Sequence, residues 1–342
     1  MYIDYMEKTR FSEHYSQLLK NIFRIMAAER RDIMNSPLRR RYVAFRIAVL
    51  ATLIGEEPDY YWGRDYPGST LKQRSASITG ARLNFGNHIF NDPEKIVYLK
   101  DKVAFAETFH AFFNRRYCCP HNVSETEFCN LFRSVKRLVV KPMRGMGGRG
   151  VQVIDVDDNL EHIYQNLFRQ KDPSIVEEYI AQTGLLHELN PSSLNTIRVI
   201  TIRFGEKIIP ASAYLRLGGP ESVTDNLHSG GVKILIHMPD GKLLDGMTMS
   251  RNHLTRHPAT GVSFTGLTIP RWDEILAFCI RAHEAAPEGL DRIGWDVCVD
   301  DAHLLMIEGN DCPGFGAYRK GNPNCWRLFK QYFNEKERAA LF

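Results

Sequence analysis

A short apolar segment, Arg137-Leu138-Val139-Val140-Lys141, runs through Pro142 into a loop with glycines at 145, 147, 148 and 150. The loop leads straight into Val151-Gln152-Val153-Ile154-Asp155-Val156, which alternates as a strand does. This order constrains the chain more than any other feature. A G-x-G-x-x-G loop that opens a helix would place a pyrophosphate on the helix N-terminus, as in dinucleotide-binding folds. A loop that opens a second strand makes a hairpin instead. Its backbone N–H groups can fold over phosphates, with Gly145, Gly147, Gly148 and Gly150 allowing close approach. A Rossmann dehydrogenase is therefore disfavoured. Lys141, at the strand end just ahead of the loop, is placed to put its ammonium on nucleotide phosphates.

The segments around this hairpin alternate between strand and helix character. Residues 1 to about 54 carry helical periodicity, in Leu18, Leu19, Ile22, Phe23 and Met26 and again in Val43, Ile47 and Leu50. Residues 55 to 86 show no clear period. A helix is expected over Lys102 to Phe113, with Phe105, Phe109 and Phe112 on one face, and another over Trp272 to Ala285. Strands are expected at 174–179, 195–204, 207–215, 232–237, 242–244, 295–299 and 304–307. This divides the chain into a helical N-terminal region (1–95), a nucleotide-clamp lobe (96–180) and a C-terminal lobe (181–342).

Composition narrows the partners. The 342 residues hold 44 basic and 40 acidic side chains, a balance that does not call for nucleic acid. The seven cysteines are odd in number, irregularly spaced and without a Cys-x-x-Cys pair, which fits reduced thiols and a cytoplasmic protein. The start, MYIDYMEKTR, has no apolar core and does not read as a signal peptide, and no stretch is apolar enough to span a membrane.

Candidate chemistry clusters further on. In Ile175-Val176-Glu177-Glu178-Tyr179-Ile180 a strand enters a linker, where backbone groups can meet adenine and a carboxylate, Glu177 or Glu178, can accept ribose hydroxyls. Glu308 and Asn310 are two apart and share a strand face, and Asp296 lies on the expected partner strand. Together they supply hard oxygen ligands that suit magnesium. Arg198 and Arg203 have opposite parity, and Arg198 is the one expected to face the site and neutralise a transferring phosphoryl group. The polar segment Asp225 to Gly231 is expected at the acceptor end, with His228 as a base or as a hydrogen-bond donor.

The order Asp101-Lys102, Val140-Lys141-Pro142, Gly145 to Gly150, Val176 to Ile180, Asn195-Thr196-Ile197-Arg198 and Ile307-Glu308-Gly309-Asn310 resembles the ATP-grasp superfamily. Asp225-Asn226-Leu227-His228-Ser229-Gly230-Gly231, His257-Pro258-Ala259-Thr260-Gly261, Phe264 to Trp272 and Ile293-Gly294-Trp295-Asp296 look like its sugar-transfer-associated branch. The resemblance covers roughly 95 to 320 and implies an α+β fold of two lobes clamping ATP. It further implies Lys102 and Lys141 on the phosphates, Glu177 and the backbone near Ile180 at adenine and ribose, and Asp296, Glu308 and Asn310 on magnesium. The implied reaction turns a small-molecule carboxylate into an acyl phosphate, which an amine, a thiol or a hydroxyl attacks, with sugar-linked acceptors among the partners the resemblance allows. A kinase of the same fold that phosphorylates a sugar or another hydroxyl and a silent nucleotide-binding scaffold are the alternatives. The N-terminal region departs from the usual pre-ATP-grasp α/β domain in reading as helical.

Overall fold

The structure is a computed structural model that describes residues 11–29, 31–54, 90–143, 148, 150–156, 159–220, 222, 224–227, 230–248, 252–314, 331 and 334. The chain divides into two compact units, one running to Gly86 with Ser250–Asn252 and one holding the rest.

In the first unit, α1 (Phe11–Glu29), α2 (Arg31–Met34) and α3 (Pro37–Ile54) follow one another, so the N-terminal part is helical as its periodicity requires. Ile22, Ile25, Met26, Val43, Ile47 and Leu50 form its core. Leu19 and Phe23, which the periodicity put on the same stripe, are 40% and 37% exposed. The buried stripe of α1 is therefore narrower than the apolar one, which is ordinary for a helix in a small bundle.

The second unit is built on two antiparallel sheets. The smaller, ordered β1-β4-β2-β3, joins β1 (Tyr117–Cys118), β2 (Arg137–Pro142), β3 (Gln152–Asp155) and β4 (Ser174–Glu178). It comes close to the expected strands, and β2 and β3 are indeed the two arms of the glycine loop. The larger is ordered β11-β10-β5-β6-β7-β8-β9. Its strands are β5 (Thr196–Phe204), β6 (Lys207–Leu217), β7 (Val232–Ile236), β8 (Leu243–Met247), β9 (Asn252–Leu254), β10 (Arg292–Val299) and β11 (Leu304–Asn310).

Helices cover one face of each sheet. On the smaller, α7 (Glu125–Phe132) and α8 (Leu160–Phe168) contribute Phe128, Phe132, Tyr164 and Leu167 to a core with Leu138, Val140 and Val176. The start of α7 is fixed by a capping box between Ser124 and Glu127. The larger sheet carries α4 (Val97–Lys100), α5 (Lys102–Thr108), α6 (His110–Phe113) and α10 (Trp272–Glu284). The short α9 (Gly184–Leu189) lies in the link between the sheets. The single helix expected from Lys102 to Phe113 is broken at Phe109, whose ψ of 27° ends α5 before α6 begins. The break lets Phe109 turn edge-on to the buried Trp295, at 5.2 Å between centroids.

Candidate nucleotide and metal site

The register of the larger sheet sets the site. Glu308 on β11 stands opposite Asp296 on β10, Asp296 opposite Arg198 on β5, and Arg198 opposite Tyr214 on β6. Four strands thus place one side chain each in a single row on the face away from the helices. Arg216, two residues beyond Tyr214, and Asn310, two beyond Glu308, share that face. Arg203 points the other way and donates to the carbonyl of His283 at 2.6 Å.

Charge in the row is tightly paired. Arg198 is nearly buried and grips Asp296 through Nε and through Nη2 at 2.6 Å, a two-point contact. Arg216 Nη1 adds a third contact to Asp296 at 2.6 Å, and its Nη2 lies 2.9 Å from Asp225. Thr196 donates to Asp225 from the neighbouring position. Burial works against ionisation of Asp296, but Arg198 and Arg216 outweigh it and hold the carboxyl well below the usual range. Glu308 goes the other way. Its side chain is 46% exposed at the bottom of a cleft. Loss of solvent there, and then the charge of Asp296 beside it, raise its proton affinity. Asn310 donates to Glu308 at 3.4 Å and to the carbonyl of Gly294 at 3.3 Å.

The smaller sheet forms the opposite wall. Glu177 is buried between β1 and β2, where Arg115 Nε and Lys141 Nζ each reach it at 2.8 Å. Burial raises its proton affinity, yet the two cations prevail and keep it below the ordinary carboxylate range. Glu178 has opposite parity and meets Arg116 at 3.8 Å near the surface. Lys102 opens α5, whose first turn is capped by Asp101 accepting from Val103 and Ala104. Burial, with Lys141 nearby, lowers the proton affinity of Lys102 against the pull of Glu308. Its place depends on Gly309: a Cβ there would lie 2.8 Å from both Leu99 and Phe105, so only glycine lets α4 and α5 rest on β11.

Between these walls lies a cavity of about 670 Å³. Lys102, Lys141, Gly148, Glu177, Glu178, Ile180, Arg198, Asp296, Glu308 and Asn310 line it, so the structure gathers these sequence-predicted residues in one place. Gly145, Gly147 and His228 lie outside the described residues. Asp225, Asn226 and Leu227 line the cavity on the side of Arg216. Gly148, at φ +70°, backs onto Thr224, 2.7 Å from where its Cβ would be, which ties the glycine loop to that segment. The His257 to Gly261 motif stays outside the cavity lining. His257 is buried, and its ring Nε2 donates to the carbonyl of Gly218 at 2.9 Å while Nδ1 accepts from the Thr260 amide at 3.2 Å. Asn195 is also structural: its side-chain amide donates to the carbonyls of Leu186, Asn190 and Ser193, closing the link ahead of β5.

Three residues at the site escape a reading of the sequence. Tyr214 and Arg216 have the parity of an inward face on β6, but nothing local selects that face. Arg115 sits between elements and shows no period at all.

The donor set fits the groups that such a cleft implies. Asp296, Glu308 and Asn310 offer oxygen only, two of them carboxylates pressed together, an arrangement a divalent cation relieves. Among the described residues no three His, Cys, Asp or Glu side chains cluster as a metal site. Magnesium held by one or two carboxylates and by phosphates needs no such cluster. Lys102 and Lys141 bring positive charge to the same cavity.

The model of the family described as sugar-transfer associated ATP-grasp matches residues 85–321. No curated protein matches the chain. Solved structures similar to it include the ATP-grasp ligase PsnB complexed with minimal precursor, Mg and ADP. It is 15% identical, with 81% of this chain and 72% of that chain covered and a TM-score of 0.41. A biotin carboxylase–β,γ-ATP complex from Campylobacter jejuni is 14% identical, with 71% and 48% covered and a TM-score of 0.46. An N5-carboxyaminoimidazole synthase from Aspergillus clavatus, in complex with ADP and 5-aminoimidazole ribonucleotide, is 11% identical, with 67% and 53% covered and a TM-score of 0.40. The family model spans both sheets and every described residue of the cavity, and the chain belongs to the sugar-transfer associated ATP-grasp family.

Proposed function

We propose that the chain is an ATP- and magnesium-dependent ligase that activates a small-molecule carboxylate as an acyl phosphate and joins it to an amine, a thiol or a hydroxyl. The observation that carries this reading is the facing pair Asp296 and Glu308, with Asn310 beside them, in one cavity with Lys102 and Lys141. When bound, ATP supplies the phosphoryl group and magnesium neutralises charge on it. Lys102 and Lys141 bind phosphate oxygens, and Glu177 holds Lys141 in place. Tyr179 and Ile180 border the adenine end, with Glu177 and Glu178 near the ribose. Arg198 and Arg216 hold Asp296 and supply fixed positive charge where negative charge develops, a role that costs no reorganisation during reaction. The Asp225 segment borders the acceptor end. No side-chain nucleophile is needed, because the rate comes from positioning and charge stabilisation.

Hydroxylamine tests the reading without knowledge of the natural acceptor. Purified protein with ATP, magnesium and a panel of carboxylic acids, sugar acids among them, is expected to form a hydroxamate with ADP and orthophosphate. A stable phosphate ester formed from sugars, with no hydroxamate from any acid, would replace the ligase with a kinase.

A further inference from the structure

Arg115 is 3% exposed, carries a permanent charge and has no place in the chemistry above, yet its guanidinium bonds to both walls. Its Nε donates to Glu177 at 2.8 Å, on the smaller sheet. Its Nη1 donates to the carbonyl of Met306 at 2.7 Å and its Nη2 to that of Ile307 at 3.5 Å, on the larger sheet immediately before Glu308. Nη1 also reaches the carbonyl of Phe113 at 3.1 Å, and the guanidinium lies 3.3 Å over the Phe113 ring. The two sheets share no strand, so this side chain is a direct polar tie from one to the other. On the smaller sheet it ends on the carboxylate that also holds Lys141.

We propose that Arg115 is a positioning residue: tied to both walls, it fixes through Glu177 the aim of Lys141 at the nucleotide. The guanidinium is suited to this as an ammonium is not. Five donors in a rigid plane can serve a carboxylate on one edge and strand carbonyls on the other, whereas a lysine has one mobile point of charge. With Arg115 present, Glu177 shares its charge between two cations, and Lys141 keeps attraction to spare for a phosphate. With Arg115 weakened, Glu177 draws Lys141 in, away from the nucleotide.

The inference rests on the reading of Lys141 as a phosphate contact, and the test separates the two. Binding of the non-hydrolysable analogue AMPPNP with magnesium is measured by calorimetry on the full chain, for wild type, Arg115→Lys, Lys141→Met and the double variant. Lys141→Met is expected to weaken binding about tenfold or more. Arg115→Lys is expected to weaken it about tenfold, and the double variant is expected to bind no worse than Lys141→Met to within about twofold, because one effect runs through the other. Wild-type affinity in Arg115→Lys, or losses that multiply in the double variant, overturn the positioning role alone. Unchanged affinity in Lys141→Met overturns the phosphate contact and the inference with it. Thermal unfolding accompanies each variant; if Arg115→Lys does not unfold cooperatively, Arg115→Gln, which keeps a planar donor, takes its place in the cycle with the same expectations. A purely architectural arginine would lower the unfolding midpoint and leave the losses multiplicative.

Discussion

Glu308 and Asp296 are both acidic and stand opposite each other, yet their environments drive them apart. Asp296 takes three contacts from Arg198 and Arg216, while Glu308 feels the charge of Asp296 and meets Arg198 only at 3.7 Å. Glu308 is thus the carboxylate with capacity to spare for a cation. Glu308→Gln is expected to lower turnover by about a hundredfold or more, the scale for losing one preorganised charge contact. Because the substitution also removes a like-charge contact, the thermal midpoint without magnesium should stay level or rise. A fall of many degrees would mean that Glu308 supports the fold and not a metal. At this scale, spacing by two residues put Glu308 and Asn310 on one face, and opposite parity separated Arg198 from Arg203. That arithmetic works because β5 and β11 are regular where it was applied. It fails for Arg216, since parity alone does not tell which face of β6 is turned to the cavity. It fails wholly for Arg115, whose partners lie 62 and 191 residues away.

The elements that carry these residues are held by specific contacts, and two of them invite measurement. Gly309 does not line the cavity, yet α4 and α5 rest on it. Gly309→Ala should cost about 1–3 kcal/mol through overpacking. By lifting the start of α5 it should also weaken nucleotide binding through Lys102. Trimming Phe105 to Leu in the same protein should restore part of both, and a calorimetric titration beside a urea melt checks the pair. On α10, His283 is fully buried in a chain of donors. Trp295 donates to Thr201 Oγ1, that hydroxyl donates to His283 Nδ1, and Nε2 donates to the carbonyl of Leu290. A proton on Nδ1 would break this order. Burial, with some help from Arg203 and against Asp291, brings the imidazole down to about 4. The unfolded chain binds that proton near the ordinary value of about 6.5. Between about 6.5 and 4 the unfolded state therefore holds more protons, and stability contributed by His283 is complete above this window and lost as pH falls through it, by about 3 kcal/mol in all. Urea midpoints at pH 7 and pH 4.5 should differ less in His283→Gln than in wild type; an equal difference would clear His283 of the effect. Most of the strands were readable from alternation and glycines; β1 and β9, two and three residues long, were not, because so short a run shows no period. The break at Phe109 was not, because the apolar period runs through it and the need to meet Trp295 is tertiary.

Both sheets, Asn252 of β9 apart, and the cavity lie in the unit that begins at Asn87. A protein made of residues 87–342 is accordingly expected to fold and to bind AMPPNP with magnesium within about threefold of the full chain; loss of binding would assign the N-terminal helices a part in the site. Among the described residues no helix is long and apolar enough to cross a membrane. At the scale of the molecule the order of the motifs is readable along the chain, whereas the tie through Arg115 depends on distances no local pattern encodes. The row from Glu308 to Tyr214 also constrains the order in which the chain folds. It exists only when four strands are in register, and the pairing of Arg198 with Asp296 joins residues 98 apart. A slip of one residue in any of these strands would turn its polar side chain into the helix-packed core. Chain collapse and local hairpins can precede such distant pairing, which closes long loops and forms slowly. On dilution from denaturant, far-ultraviolet circular dichroism should therefore recover ahead of nucleotide binding, and a kinetically trapped strand would leave a protein rich in secondary structure and wholly without a site.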